Sequence, residues 1–121
     1  MTTHKIVSLM PYPHERLIHF MTLGGYNPST TKLVSITPPK ATEEQICTAV
    51  SDADVILGDY SAHNYISQIV LKAAEKCRHI QFASIGYDGI DLEASKEMGI
   101  TVSNAFIGPY TSARALLICY S

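Results

Sequence analysis

The chain has 121 residues, 46% of them hydrophobic and 17% charged, enough for one domain with its own core and unlike a disordered segment. Nine basic side chains against eleven acidic ones leave a formal charge of −2, and no basic run appears, so nucleic-acid or anionic-membrane binding has no electrostatic footprint. The three cysteines, Cys47, Cys77 and Cys119, fall singly, which argues against a disulfide framework or a zinc site and suits a reducing cytoplasm.

Ile6 to Met10 is a short apolar run ended by Pro11 and Pro13, and it predicts a buried first strand. It is too short for a signal-peptide core or a membrane span. A helix is expected from about His14 to Leu23, with Leu17, Phe20 and Met21 on one face and Gly24-Gly25 as its stop. Leu33 to Ile36 is a second strand, closed by Pro38-Pro39. Thr42-Glu43-Glu44-Gln45 spells a capping box, and Ile46, Ala49, Val50 and Ala53 follow at helical spacing.

Asp54 to Gly58 predicts the third strand. A helix from about Asn64 to Cys77 follows, with Ile66, Ile69, Val70, Ala73 and Cys77 as its core stripe. The fourth strand is Ile80 to Ala83. Asp91 caps a short helix, Leu92 to Met98, and Gly99 stops it in a left-handed position. Ile100 to Val102 is the fifth strand, and a last helix is expected from Pro109 onward. Strands alternating with helices imply a flavodoxin-like α/β fold, a doubly wound five-stranded parallel sheet with helices on both faces. The expected strand order is 2-1-3-4-5, from fold habit.

In such a sheet, ligands bind outside the carboxyl ends of the strands, near the switch in strand order. The most informative of those ends is Ser84-Ile85-Gly86-Tyr87, which leaves the fourth strand and meets Gly89 three residues after Gly86. Gly86 lets the backbone approach a ligand closely, and the amides of Ile85 and Gly86 can then face a carboxylate without any charged side chain. On spacing alone, a plain tight turn is the favoured explanation of Gly86 and Gly89. Asp88 and Asp91 read as loop and cap residues. Of the five histidines, His4, His14, His19, His63 and His79, none pairs with carboxylates at metal-ligand spacing, and only His63 stands near the expected cleft.

The segment from Ala83 to Glu93, continued by Ala94, Lys96, Glu97 and Met98-Gly99-Ile100-Thr101-Val102-Ser103-Asn104, resembles the lobe-closing segment of the D-isomer-specific 2-hydroxyacid dehydrogenases. Val55 to Gly58 and Leu71-Lys72-Ala73-Ala74 resemble the strand and helix before it. The resemblance covers about half the chain closely and the first fifty residues only by topology. It implies that residues 1–108 are the substrate-binding lobe and residues 109–121 the start of an interdomain helix. It also implies that Ser84, Ile85 and Gly86 receive the carboxylate of a small 2-oxo or 2-hydroxy acid. Gly58-Asp59-Tyr60 would then lie beside the substrate side chain.

The same resemblance implies NAD as cofactor in the full-length enzyme, yet the chain has no Gly-x-Gly-x-x-Gly turn. The arginine, histidine and glutamate that carry the family's chemistry belong to the cofactor lobe, so no catalytic residue maps here. These 121 residues are expected to stop short of that lobe and to be inactive alone. Arg114 stands where the family has an acid, and Leu116 to Tyr120 is apolar all round, which predicts self-association into a homo-oligomer. Two other readings share this topology. One is a non-catalytic flavodoxin-like binding or dimerisation module. The other is a receiver-like regulatory domain with Asp59 as phosphoacceptor, for which Met10-Pro11 and Ser103-Asn104 lack the acidic pair and the lysine.

Overall fold

The computed structural model describes residues 4–10, 13–23, 27–36, 41–59, 64–82 and 88–103, with the side chains of 20–23 left aside. Five described strands, β1 (His4–Ser8), β2 (Thr31–Ser35), β3 (Val55–Leu57), β4 (His79–Gln81) and β5 (Thr101–Ser103), alternate with four helices. These are α1 (His14–Leu23), α2 (Glu43–Val50), α3 (Gln68–Ala73) and α4 (Leu92–Glu97). The strands form one sheet in the order β2-β1-β3-β4-β5, and every pair is parallel. The expected fold and strand order are therefore both present. Among the described residues, no helix is long and apolar enough to cross a membrane.

Strand periodicity explains how the sheet buries both faces. Successive side chains of a strand point to opposite sides. Val7, Leu9, Ile56, Ile80 and Phe82 accordingly join the cluster that holds Ile46 and Val50 of α2, Val70 and Leu71 of α3 and Ala94 of α4. Ile6, Met10, Leu33 and Leu57 face the other way and pack with Leu17 of α1. A continuous apolar run such as Ile6-Val7 is what two-sided burial requires, and simple alternation would not serve it.

Local signals start and stop the helices largely as expected. Thr42 accepts from the Gln45 amide at 3.1 Å while Gln45 Oε1 accepts from the Thr42 amide at 2.9 Å, completing the capping box. Asp91 accepts from the Ala94 amide at 3.1 Å as N-cap of α4, and Gly99 follows that helix with φ 71°.

The third helix departs from the sequence reading. It begins at Gln68, four residues after Asn64, because the Ser67 hydroxyl caps it by accepting from the Val70 amide at 3.3 Å. That hydroxyl also donates to Glu43 Oε2 at 2.8 Å, tying the cap to the first turn of α2. Ile66, placed in the helix by its periodicity, instead forms a parallel bridge with Ile90. With the helix shifted, Leu71 turns inward, and Ile69, expected in the core, is 59% exposed. Cys77 is buried as expected, but past the helix end rather than on its stripe. The face assigned to Phe20 and Met21, the Gly24-Gly25 stop, Cys119 and the last helix all lie outside the described residues.

Phe82 is fully buried one residue beyond β4, and two glycines make room for its ring. A Cβ on Gly58 would overlap the ring edge, and one on Gly89 would stand 3.0 Å from Phe82 Cε1. Gly58→Ala should therefore cost about 2–3 kcal/mol of stability by overpacking. Combined with Phe82→Leu, which shortens the ring's reach, the pair should be less destabilised than the sum of the single changes by at least about 1 kcal/mol in urea unfolding. Simple additivity would show that the ring and the Gly58 backbone do not compete for space.

Cys77 is 4% exposed and its thiol donates to the His79 carbonyl oxygen at 3.3 Å. Burial pushes the thiol up from its ordinary 9.0 to about 11. From pH 9 to about 11 the unfolded chain sheds this proton and the folded chain keeps it, so the stabilisation is complete below that window and is lost as pH rises through it. Across the window the wild type should lose about 2 kcal/mol more than Cys77→Ala, a comparison that cancels the tyrosines and lysines titrating alongside. Equal slopes in urea titrations at pH 9, 10 and 11 would show that the folded thiol ionises freely.

Candidate functional site at the carboxyl edge of the sheet

The carboxyl ends of all five described strands lie in one row. Ser8 pairs with Ser35 and Leu57, Leu57 with Gln81, and Gln81 with Ser103. The ladder then continues one residue further. The Leu9 amide donates to the Leu57 carbonyl oxygen at 2.9 Å, Gly58 to Gln81 at 2.8 Å, and Phe82 to Ser103 at 2.9 Å. Strand order reverses between β1 and β3, and in sheets of this order the crevice at that point is the usual ligand seat.

Beyond the ladder, the exposed edge is organised by Asn64, a residue the sequence reading placed at the start of a helix. Its side chain is fully buried. Oδ1 accepts from the Ala41 amide at 2.7 Å, just before α2, and Nδ2 donates to the Leu9 carbonyl oxygen at 3.0 Å, just after β1. The Asn64 amide donates to Asp59 Oδ2 at 3.0 Å, just after β3. One residue thus holds three connections that are remote in sequence. An asparagine suits this task because its carboxamide offers donor and acceptor together on a short stem.

Two residues later the same segment reaches β4's side of the edge. The Ile66 amide donates to the Gly89 carbonyl oxygen at 2.8 Å, and the Asp91 amide donates to that of Ile66 at 2.9 Å. Gly89 also presses against the chain at Asp59, where a Cβ would meet the Asp59 carbonyl oxygen at 2.5 Å. Close backbone approach is the reason for glycine here.

Asp59 stands at the carboxyl end of β3, where the sequence reading put it, and its side chain is fully buried with its carboxylate on the Asn64 amide. Tyr60, His63, Ser84, Ile85, Gly86 and Tyr87 lie outside the described residues. Asp88 is an exposed turn residue, and Asp91 is the α4 cap described above. His14, at the start of α1, has its Nδ1 2.8 Å from the Ser35 hydroxyl in an exposed position at this same edge. Among the described residues, no group of three His, Cys, Asp or Glu side chains comes together as a metal site. The sequence did carry a signal for Asn64's freedom from the helix. Ser67 is itself a strong N-cap type three residues later, and a helix cannot start at both.

Comparison with known proteins gives the same answer by a separate route. The family model described as "D-isomer specific 2-hydroxyacid dehydrogenase, catalytic domain" matches residues 11–114. The D-3-phosphoglycerate dehydrogenase of Methanocaldococcus jannaschii is 38% identical over 64 residues, which are 53% of this chain and 12% of that protein. The NAD+-bound 3-phosphoglycerate dehydrogenase of Entamoeba histolytica superposes with a TM-score of 0.67 at 27% identity, over 86% of this chain and 33% of that one. The NAD-dependent formate dehydrogenase of Staphylococcus aureus, in complex with NAD, shares the fold with a TM-score of 0.66 at 21% identity, over 84% of this chain and 32% of that one. The chain thus spans a third or less of the length of these three proteins. With the family model covering most of its length and the sheet order in agreement, the chain belongs to the D-isomer specific 2-hydroxyacid dehydrogenase family, within the catalytic domain.

Proposed function

We propose that this chain is the substrate-holding lobe of an NAD-dependent D-2-hydroxyacid dehydrogenase. In this reading it receives the carboxylate of a small 2-oxo or 2-hydroxy acid on the loop after β4, at Ser84 and the backbone amides of Ile85 and Gly86. Tyr60 forms the adjoining wall, toward the substrate side chain, and Asp59, buried with its carboxylate on the Asn64 amide, anchors that wall from within. The observation that carries the reading is how firmly both described ends of the β4 loop are held at the carboxyl edge. Phe82 enters it from the core with its amide on Ser103, and Gly89 leaves it wedged against Asp59 and bonded to Ile66. Backbone amides bind an anion well only when the chain around them is fixed beforehand, because reorganising them would consume the gain.

The chain's own residues do not fit a dinucleotide. It has no Gly-x-Gly-x-x-Gly turn, and the connection from β1 enters α1 through Pro13 and His14 rather than through glycines. The lobe therefore binds and orients the acid, and the hydride chemistry belongs to a cofactor lobe that these 121 residues do not encode. The burial of Asp59 weighs against the receiver-like alternative, since a phosphoacceptor has to be reached by its phosphodonor.

Two measurements test the proposal. Adding pyruvate at millimolar concentration should shift the amide resonances of Ile85 and Gly86 ahead of those on the far edge of the sheet, and an unperturbed spectrum would remove the carboxylate site. The purified chain should not oxidise NADH with pyruvate or glyoxylate. Turnover above the buffer rate would show that the lobe carries a cofactor site of its own.

A further inference from the structure

Asn64 is the residue whose contacts reach furthest at the proposed site, and nothing in the family reading assigns it a role. Its carboxamide joins the end of β1 to the start of α2, and its amide joins both to the end of β3. Only one residue separates it from Ile66, whose amide and carbonyl oxygen hold Gly89 and Asp91 beyond β4. Residues 64–66 therefore staple together the ends of β1, β3 and β4, on both sides of the point where strand order reverses. A buried carboxamide with both of its functions bonded has little freedom to rotate, so each strand end it holds is placed relative to the others.

We infer that Asn64 is a positioning residue for acid binding, which sets the affinity of the carboxylate site by holding the β3 end and Gly89 in place without touching the ligand. The inference rests on the proposed seat for the acid after β4. Its mechanism is linkage: if the staple must be closed for the acid to bind, bound acid must in turn hold the staple closed. Gly99, by contrast, stands past the end of α4 with open space around it, apart from these contacts.

The test compares the wild type, Asn64→Ala and Gly99→Ala by amide shifts in a pyruvate titration. Gly99→Ala is a control that strains a left-handed residue away from the staple. Asn64→Ala is expected to raise the pyruvate Kd at least about tenfold, and Gly99→Ala to leave it within about twofold. Equal affinity for wild type and a folded Asn64→Ala would overturn the inference while leaving the acid site standing. Absence of binding to the wild type would overturn the acid site, and this inference with it. Hydrogen exchange on the wild type provides the second measurement and needs no variant. Saturating pyruvate should slow exchange at the Ala41 and Asn64 amides, which the staple holds, by about fivefold or more. Unchanged rates at both amides in pyruvate-saturated protein would sink the inference even if Asn64→Ala fails to fold.

Discussion

A parallel sheet sends every strand out at the same edge, and the backbone groups that leave the ladder there must still be bonded or wetted. Among the described residues, a buried carboxamide meets part of this constraint. Asn64 supplies the acceptor that the Ala41 amide needs and the donor that the Leu9 carbonyl oxygen needs, while its own amide meets the Asp59 carboxylate. Three crossings from strand to helix are thereby tied at one point. The carboxyl edge is the surface on which sheets of this order place their ligands, so the solution to a folding problem also shapes the site.

The core beneath that edge follows from two-sided burial. Neighbours along β1 alternate between two apolar clusters, Ile6 and Met10 toward α1, Val7 and Leu9 toward α2 and α3. At the top of the larger cluster the Phe82 ring occupies space that side chains on Gly58 and Gly89 would need. The ring and the two glycines thus form one packing unit, and they bring the end of β3 and the return of the β4 loop into direct contact. Cys77 completes the opposite end of the same core as a buried, protonated thiol. Expected in the core, this cysteine is a small apolar filler whose thiol donates to the His79 carbonyl oxygen.

Much of the fold was legible residue by residue. The capping box at Thr42 and Gln45, the Asp91 cap and the left-handed Gly99 are local devices whose partners lie within four residues, so short-range rules identify them. The third helix shows where such rules stop. Ile66 fits a helical stripe by spacing, yet its backbone is taken by Gly89 and Asp91, more than twenty positions away. The competing local signal, Ser67 as N-cap, prevails because that long-range bridge leaves the chain no helical path before it. Asn64 was passed over for the same reason, since Leu9 and Ala41 stand 55 and 23 residues from it.

By itself the sequence determined the class of sheet, the alternation of its elements and the family, because periodicity, caps and the ordered features from Val55 to Asn104 are properties of the chain read in order. Only the tertiary structure decided how the strand ends are held together, that Asp59 turns its carboxylate inward onto the Asn64 amide, and that Gly58 and Gly89 are glycines to admit Phe82. The division has a physical cause. Propensity and patterning act over a few residues, whereas a buried polar group or a ring edge is satisfied by whichever atoms the fold brings near, at sequence separations that no local pattern records.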